Sequence, residues 1–147
     1  MQIKDDELEQ SLLNYAFDHK VRYKLTTELT PYAPSFTEMQ TGTIVINMNW
    51  HDSAEIPFQI AHETAHVLNG DKPLYFPTEV SKSKIEIKAN IRGIEILMPY
   101  YCAHRTEEYA DPVQFCHFFR IPSHLFDVVD SKMKEYYGYN DIQAGMH

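Results

Sequence analysis

The chain has 147 residues, of which 44% are hydrophobic and 23% are charged, a composition typical of one folded domain with a buried core. Its formal net charge is −8 and it has no basic run, so the balance disfavours binding to nucleic-acid backbones or anionic membrane surfaces. The sequence as given shows neither a secretory signal nor an apolar run long enough to span a bilayer, and two cysteines are too few for a disulfide framework. We therefore expect one cytoplasmic domain over residues 1–147.

The first third of the chain predicts one helix and two strands. Acidic residues open a segment over Asp5–Asp18 whose apolar residues recur at helical spacing. Alternation of apolar and charged residues predicts a half-buried strand over residues 21–25. Residues 31–40 contain two prolines and predict a loop, and a second strand follows over residues 43–49.

The remainder of the chain predicts helices. They run from a start between residues 52 and 57 to residue 68, from 81 or 83 to 98, from 112 to 119, and from about 125 toward 138. Asn69-Gly70 and Pro99 are the expected stops of the first two helices, and Asp111 is the expected N-cap of the third. The order of elements predicts an α+β fold with a small early sheet and helices afterwards.

Residues 62–66 read His-Glu-Thr-Ala-His, an H-E-x-x-H pattern. Helix positions four apart lie one turn above each other, so His62 and His66 can bind one cation together. Glu63 is rotated away from them and can serve as a general base toward a metal-bound water, for which Zn²⁺ is the typical ion. The alternative is that all three are ordinary residues on a helix surface. This alternative is disfavoured by an apolar stripe beside the three residues. The stripe consists of Ile60, Ala61, Ala65 and Leu68.

A catalytic zinc site needs a third protein ligand, and three glutamates follow the pattern. Glu95 is nine positions after Glu86 and therefore points to the opposite side of their helix. Glu79 lies in or next to a loop, and its spacing does not exclude it. Glu86 has an alternative interpretation, because Ser83 and Glu86 together match a capping box. Gly93 lies near the line of Glu86 and would let another helix approach closely.

Residues 61–66, 86–90 and 97–99 match the series A-H-E-x-x-H, E-x-x-A-N and L-x-P. In this series the chain resembles the ImmA/IrrE family of metallopeptidases. The resemblance implies a gluzincin-like site in which His62, His66 and Glu86 bind the metal and Glu63 is the catalytic base. It also implies an α+β fold in which the small sheet packs with a zincin-like helical core and C-terminal helices. Lys88 departs from the family pattern, where an acidic residue is common.

The resemblance also implies a function. The chain would be a zinc-dependent endopeptidase that cleaves a helix-turn-helix transcriptional repressor and so derepresses phage, mobile-element or stress genes. The metal would be Zn²⁺, with Mn²⁺ as the alternative. Two other functions stay open: a non-proteolytic module that binds a repressor or another protein, and a hydrolase for a smaller substrate.

A peptidase also needs a donor that stabilises the developing oxyanion. Tyr100, Tyr101 and His104 follow the predicted ligand helix and are the candidates, although surface aromatics at a helix end would give the same pattern.

Two cysteines and two histidines near the end of the chain raise the question of a second metal site: Cys102, His104, Cys116 and His117. Their spacing lacks the close C-x-x-C pairing of zinc ribbons and fingers, which disfavours such a site. We expect Cys116 to pack in the core with Val113 and Phe119. The last two helices look like a helix-turn-helix, but they lack an Arg/Lys-rich second helix. Packing against the rest of the domain is therefore expected instead of DNA binding.

Overall fold

The computed structural model describes residues 5–72 and 78–145. It contains helices and strands in the order α1 (Asp5–Asp18), β1 (Arg22–Thr26), β2 (Phe36–Glu38), β3 (Thr43–Asn47), α2 (Ile56–Leu68), α3 (Glu79–Cys102), α4 (Pro112–Phe119) and α5 (Phe126–Gly145). Short 3-10 turns cover Ser53–Glu55, Glu107–Tyr109 and Ser123–Leu125. The α+β fold predicted from the sequence is confirmed. None of the described helices is both long enough and apolar enough to cross a bilayer.

The three strands form one sheet with the order β1-β3-β2, in which β1 is parallel and β2 antiparallel to β3. Every residue of β3 is buried, as expected for a central strand. In β1, Leu25 is 47% exposed, so the predicted inward alternation does not hold at that position. Strand β2 lies where a loop was predicted. It has three residues and depends on pairing with β3, and local patterns do not report such long-range pairing.

A buried asparagine at the end of β3 holds the segment that precedes β2. The Asn47 side-chain amide donates to the carbonyls of Thr30 at 2.8 Å and Ala33 at 2.7 Å. Its backbone N–H donates to Ser35 Oγ at 2.9 Å, and the Ser35 hydroxyl donates to Gln59 Oε1 at 2.6 Å. Because Gln59 belongs to α2, this network ties the segment, the sheet and α2 together.

Helix α3 differs from its prediction at both ends. It begins at Glu79, where the Thr78 side chain accepts the Ser81 N–H and Ser81 reciprocates as a capping box. Ser83 therefore lies inside the helix, so the capping-box interpretation of Glu86 is wrong. The helix also continues through Pro99 to Cys102. Because Tyr101 and Cys102 are buried, their packing offsets the backbone hydrogen bond that the proline removes.

The C-terminal helices pack against the rest of the domain, as expected, with α5 on α3 and α4 on α5 and on the turn before α2. Helix α4 is capped by the Asp111 carboxylate, which accepts the Val113 N–H at 2.9 Å. Helix α5 extends to Gly145, beyond the predicted end near residue 138. Phe119 is buried and Cys116 half-buried, but the expectation that Val113 joins the core is wrong, because Val113 is 61% exposed.

Candidate metal centre

Helix α2 carries His62 and His66 on one face. Its start is fixed by the Asp52 carboxylate, which accepts the Ala54 N–H at 3.1 Å and caps the 3-10 turn leading into the helix. The two imidazole centroids lie 4.8 Å apart with their ring planes perpendicular. His66 is buried and His62 half-buried. The helical spacing therefore brings both rings together, as the pattern predicted.

Glu86 of α3 contacts both imidazoles with one carboxylate. Its Oε2 lies 2.9 Å from His62 Nε2, and its Oε1 lies 3.2 Å from His66 Nε2. Gly93, two turns further along α3, allows this close approach, because a Cβ atom there would lie 3.3 Å from the His62 Cα and N atoms. The expectation that Gly93 would let another helix approach is confirmed.

Two imidazole nitrogens and a carboxylate form a donor set that suits Zn²⁺. Ligand atoms of His62, Glu63 and His66 also lie within 4.8 Å of one another, so Glu63 is a second candidate for the third ligand. We favour Glu86 in that role, since its oxygens lie closer to both Nε2 atoms and Glu63 is hydrogen-bonded elsewhere. The residues present therefore fit a zinc ion.

The end of α2 orients His66. Gly70 adopts the left-handed conformation with φ 71°, and its N–H donates to the Val67 carbonyl at 3.0 Å. The next N–H, of Asp71, donates to the His66 carbonyl at 3.1 Å, which completes a Schellman motif. This turn directs the Asp71 carboxylate back to His66 Nδ1 at 2.9 Å. A hydrogen bond at Nδ1 leaves Nε2 free for a metal.

His62 lacks a comparable partner. Within the described part of the chain, its Nδ1 atom is buried and makes no hydrogen bond. The two histidines are therefore restrained to different degrees. Asp71 is not among the residues predicted for the site, although the sequence holds a local signal for it: a glycine at the helix end followed directly by an acidic residue.

Glu63 is held beside the histidine pair by β2. The Thr37 hydroxyl lies 3.1 Å from Glu63 Oε1 and 3.3 Å from the Glu63 backbone carbonyl. Burial raises the pKa of the Glu63 carboxyl, although His62, His66 and the Thr37 hydrogen bond act in the opposite direction. A carboxyl with a raised pKa is suited to general-base catalysis near neutral pH. Thr37 lies in the predicted loop, and nothing in the sequence linked it to Glu63.

The groups around His66 interact strongly by charge. Burial alone would lower the pKa of His66, but hydrogen bonds to Glu86 and Asp71 outweigh it and raise the pKa to about 9. The hydrogen bonds to His62 and His66 hold the pKa of the Glu86 carboxyl well below its ordinary value. The charged forms of these groups therefore stabilise one another.

The other two glutamates lie away from the histidines. The Glu79 side chain is 93% exposed and lies 3.8 Å from Lys82. Glu95 pairs with Lys132 of α5 at 3.1 Å, which agrees with the expectation that it points to the opposite side of α3.

The structure does not bring Tyr100, Tyr101 or His104 to the histidine pair. Because α3 is continuous, Tyr100 lies roughly four turns, about 21 Å, along the helix axis from Glu86. The Tyr100 hydroxyl lies 3.4 Å from the Ser11 carbonyl, and the Tyr101 hydroxyl lies 2.6 Å from Gln114 Oε1. His104 is exposed beyond the end of α3. This geometry does not support them as oxyanion stabilisers.

The cysteines form no second cluster. Over residues 5–72 and 78–145, only the group around His62 and His66 offers three suitable ligand atoms close together. Cys102 is buried and Cys116 half-buried, and burial raises the pKa of both thiols. A raised thiol pKa disfavours the thiolate that metal binding requires.

A cavity of about 560 Å³ opens onto the histidine pair. His62, Glu63, His66, Glu86 and Asn90 form one part of its lining. Apolar side chains form much of the rest, namely Pro34, Phe36, Met39, Trp50 and Phe58. The volume lies in the range of sites that enclose ligands.

An α+β fold whose H-E-x-x-H helix faces a carboxylate on the next helix defines a metallopeptidase-like domain. The chain belongs to the peptidase M78 family, whose model, described as an IrrE N-terminal-like domain, matches residues 15–123. The resemblance to the ImmA/IrrE family is thereby confirmed. Comparison with curated proteins gave no significant match, and neither did comparison with solved structures.

Proposed function

We propose that this chain is a zinc-dependent endopeptidase. His62, His66 and Glu86 would hold the metal, and Glu63 would be the general base. One observation carries the proposal: both Nε2 atoms converge on the Glu86 carboxylate, while the Glu63 carboxylate beside them is hydrogen-bonded to Thr37. Mn²⁺ is the alternative ion.

When bound, the metal lowers the pKa of a water and polarises the scissile carbonyl. The chain supplies the proton transfers. The Glu63 carboxylate accepts the proton of the attacking water and later delivers it to the leaving amine. Asp71 keeps the proton of His66 on Nδ1, and Thr37 fixes the direction in which the Glu63 oxygens point.

The cavity supports cleavage within a chain over removal of terminal residues. None of the described residues that line it is Lys or Arg, so no cation is in place for a terminal carboxylate. Its two carboxylates are already engaged, Glu63 with Thr37 and Glu86 with both histidines. A free terminal amine would therefore lack an anionic partner.

The family supports a protein substrate, and the family resemblance suggests a helix-turn-helix repressor cleaved in the cytoplasm to derepress phage, mobile-element or stress genes. The alternative is a non-proteolytic module that binds such a repressor. A purely structural metal site has no need of a carboxylate held in place beside it, as Glu63 is by Thr37.

The role of Glu63 is tested by Glu63→Gln. We expect the variant to retain zinc, measured by elemental analysis, and to lose at least about 100-fold in the rate of peptide cleavage. The substrates are a mixed fluorogenic peptide library and a helix-turn-helix repressor encoded beside the gene. Cleavage at the wild-type rate would show that Glu63 is not the base.

The third ligand is tested by Glu86→Gln, with Glu79→Gln as the matched control. Both residues lie on α3, and only Glu86 contacts the histidines. We expect Glu86→Gln to lose most of its zinc after dialysis and Glu79→Gln to retain it. Equal zinc contents in the two variants would exclude Glu86 as a ligand.

A further inference from the structure

The apolar part of the cavity lining comes from two places in the chain. Pro34, Phe36 and Met39 belong to β2 and its flanks, whereas Trp50 belongs to the segment before α2 and Phe58 to the first turn of α2. Phe36 is 44% exposed, and Met39, Trp50 and Phe58 are half-buried. Large apolar side chains that stay partly exposed around one cavity mark a binding surface.

This apolar surface adjoins the candidate metal centre. Phe58 lies one turn before His62 on α2, with its ring edge-on at 6.0 Å between centroids. A group seated against Phe58 is therefore next to the bond that the metal would activate.

Two polar groups among these apolar side chains are already hydrogen-bonded. The Trp50 indole N–H donates to the Glu55 carboxylate, and the Ser35 hydroxyl donates to Gln59. Because these groups are engaged, burial of apolar area favours binding to this surface. A polar side chain would be desolvated there with few hydrogen-bond partners.

The charged residues that line the cavity further restrict which side chains this surface can bind. The cavity is lined by the carboxylates of Glu63 and Glu86 and, within the described residues, by no Lys or Arg. The net charge of the whole chain is −8. An acidic side chain buried among these apolar groups would lose its hydration with no Lys or Arg to pair with, and an apolar one would not.

We propose that Phe36, Met39, Trp50 and Phe58 form a specificity site that takes a bulky apolar side chain, such as Leu, Met or Phe, adjacent to the scissile bond. This inference rests on the proposed function, because it places the site beside the reacting bond. Burying a side chain of this size favours it over Ala by about 10- to 100-fold.

The experiment uses Trp50 as the reporter, because it is the chain's single tryptophan and lines the cavity. Blocked peptides that differ only in one central residue, Leu, Phe, Ala or Asp, are titrated into the zinc-loaded protein. Binding is followed by Trp50 fluorescence in Glu63→Gln, and cleavage is followed in the wild type. Phe36→Ala removes part of the site, and Phe17→Ala, a 72% exposed phenylalanine on α1, is the control.

We expect Leu and Phe peptides to bind at least tenfold more tightly than the Ala peptide and the Asp peptide to bind most weakly. Phe36→Ala should reduce that preference severalfold while zinc content stays unchanged, and Phe17→Ala should keep it. A preference in binding without any cleavage would support the apolar binding surface but refute the proposed peptidase, and with it the placement beside a scissile bond. Cleavage without a preference, or a preference that survives Phe36→Ala in full, would overturn the site and leave the peptidase standing.

Discussion

Replacing Gly93 with alanine would place a methyl group between α2 and α3. The new Cβ atom would lie 3.3 Å from His62 Cα and N and 3.3 Å from Phe58 Cε1. Phe58 can rotate, but the two His62 atoms belong to the backbone of α2. The helices must therefore move apart by a few tenths of an ångström to admit the methyl group.

The change in the free energy of unfolding caused by Gly93→Ala follows from two opposing effects. Alanine in a helix interior is favoured over glycine by up to about 1 kcal/mol, and overpacking costs about 1–3 kcal/mol. Gly138 of α5 isolates the first effect, because a Cβ atom there would meet nothing within 4 Å. We expect Gly138→Ala to raise the free energy of unfolding by about 0.5–1 kcal/mol and Gly93→Ala to lie about 1–3 kcal/mol below it.

Urea unfolding of the two metal-free variants measures this difference. Because Glu86 moves with α3, we also expect Gly93→Ala to weaken zinc binding by about tenfold in a chelator competition, similar to the loss of a group that orients a ligand. Gly138→Ala should bind zinc as the wild type does. If the two variants were equally stable and bound zinc equally, the close contact between α2 and α3 would be refuted.

Two further predictions concern the surroundings of His66. Asp71→Asn removes the charge that holds Nδ1, so zinc affinity should fall about 10- to 100-fold, whereas Asp130→Asn, which alters an exposed pair with Lys134, should leave it unchanged. Equal affinities would show that Asp71 does not orient the ligand. The pKa of His66 is raised to about 9, so its contribution to metal-free stability is fully present below pH 6.5 and lost as pH rises toward 9. Urea unfolding in the presence of a chelator, repeated across this pH range, measures the contribution of His66 to stability. In Asp71→Asn this contribution should be lost by a lower pH. Identical pH profiles for wild type and variant would show that Asp71 does not help to raise the pKa of His66.

Much of the histidine pair's geometry could be predicted because it is local. Positions four apart on a helix meet whatever the rest of the chain does, and the start and end of α2 carry their own signals in Asp52 and Gly70. The position of Glu86 needed more than spacing, since Ser83 offered a credible cap. Only the true start of α3 at Glu79 removed that alternative.

The features that could not be predicted from the sequence depend on contacts between distant parts of the chain. Strand β2 exists because it pairs with β3, and Thr37 reaches Glu63 only through that pairing. Tyr100 and Tyr101 are candidates for the oxyanion donor on the prediction that α3 ends at Pro99. The packing of Tyr101 carries the helix past the proline, and both tyrosines then lie far from Glu86.

The buried Asn47 network has a consequence for recognition. It joins the chain before β2 to α2 through Ser35 and Gln59, so one wall of the cavity is tied by hydrogen bonds to the helix with both histidines. The width of the groove is thus set during folding and need not be adjusted when a peptide arrives. A preorganised groove spares a ligand much of the entropic penalty of ordering its receptor.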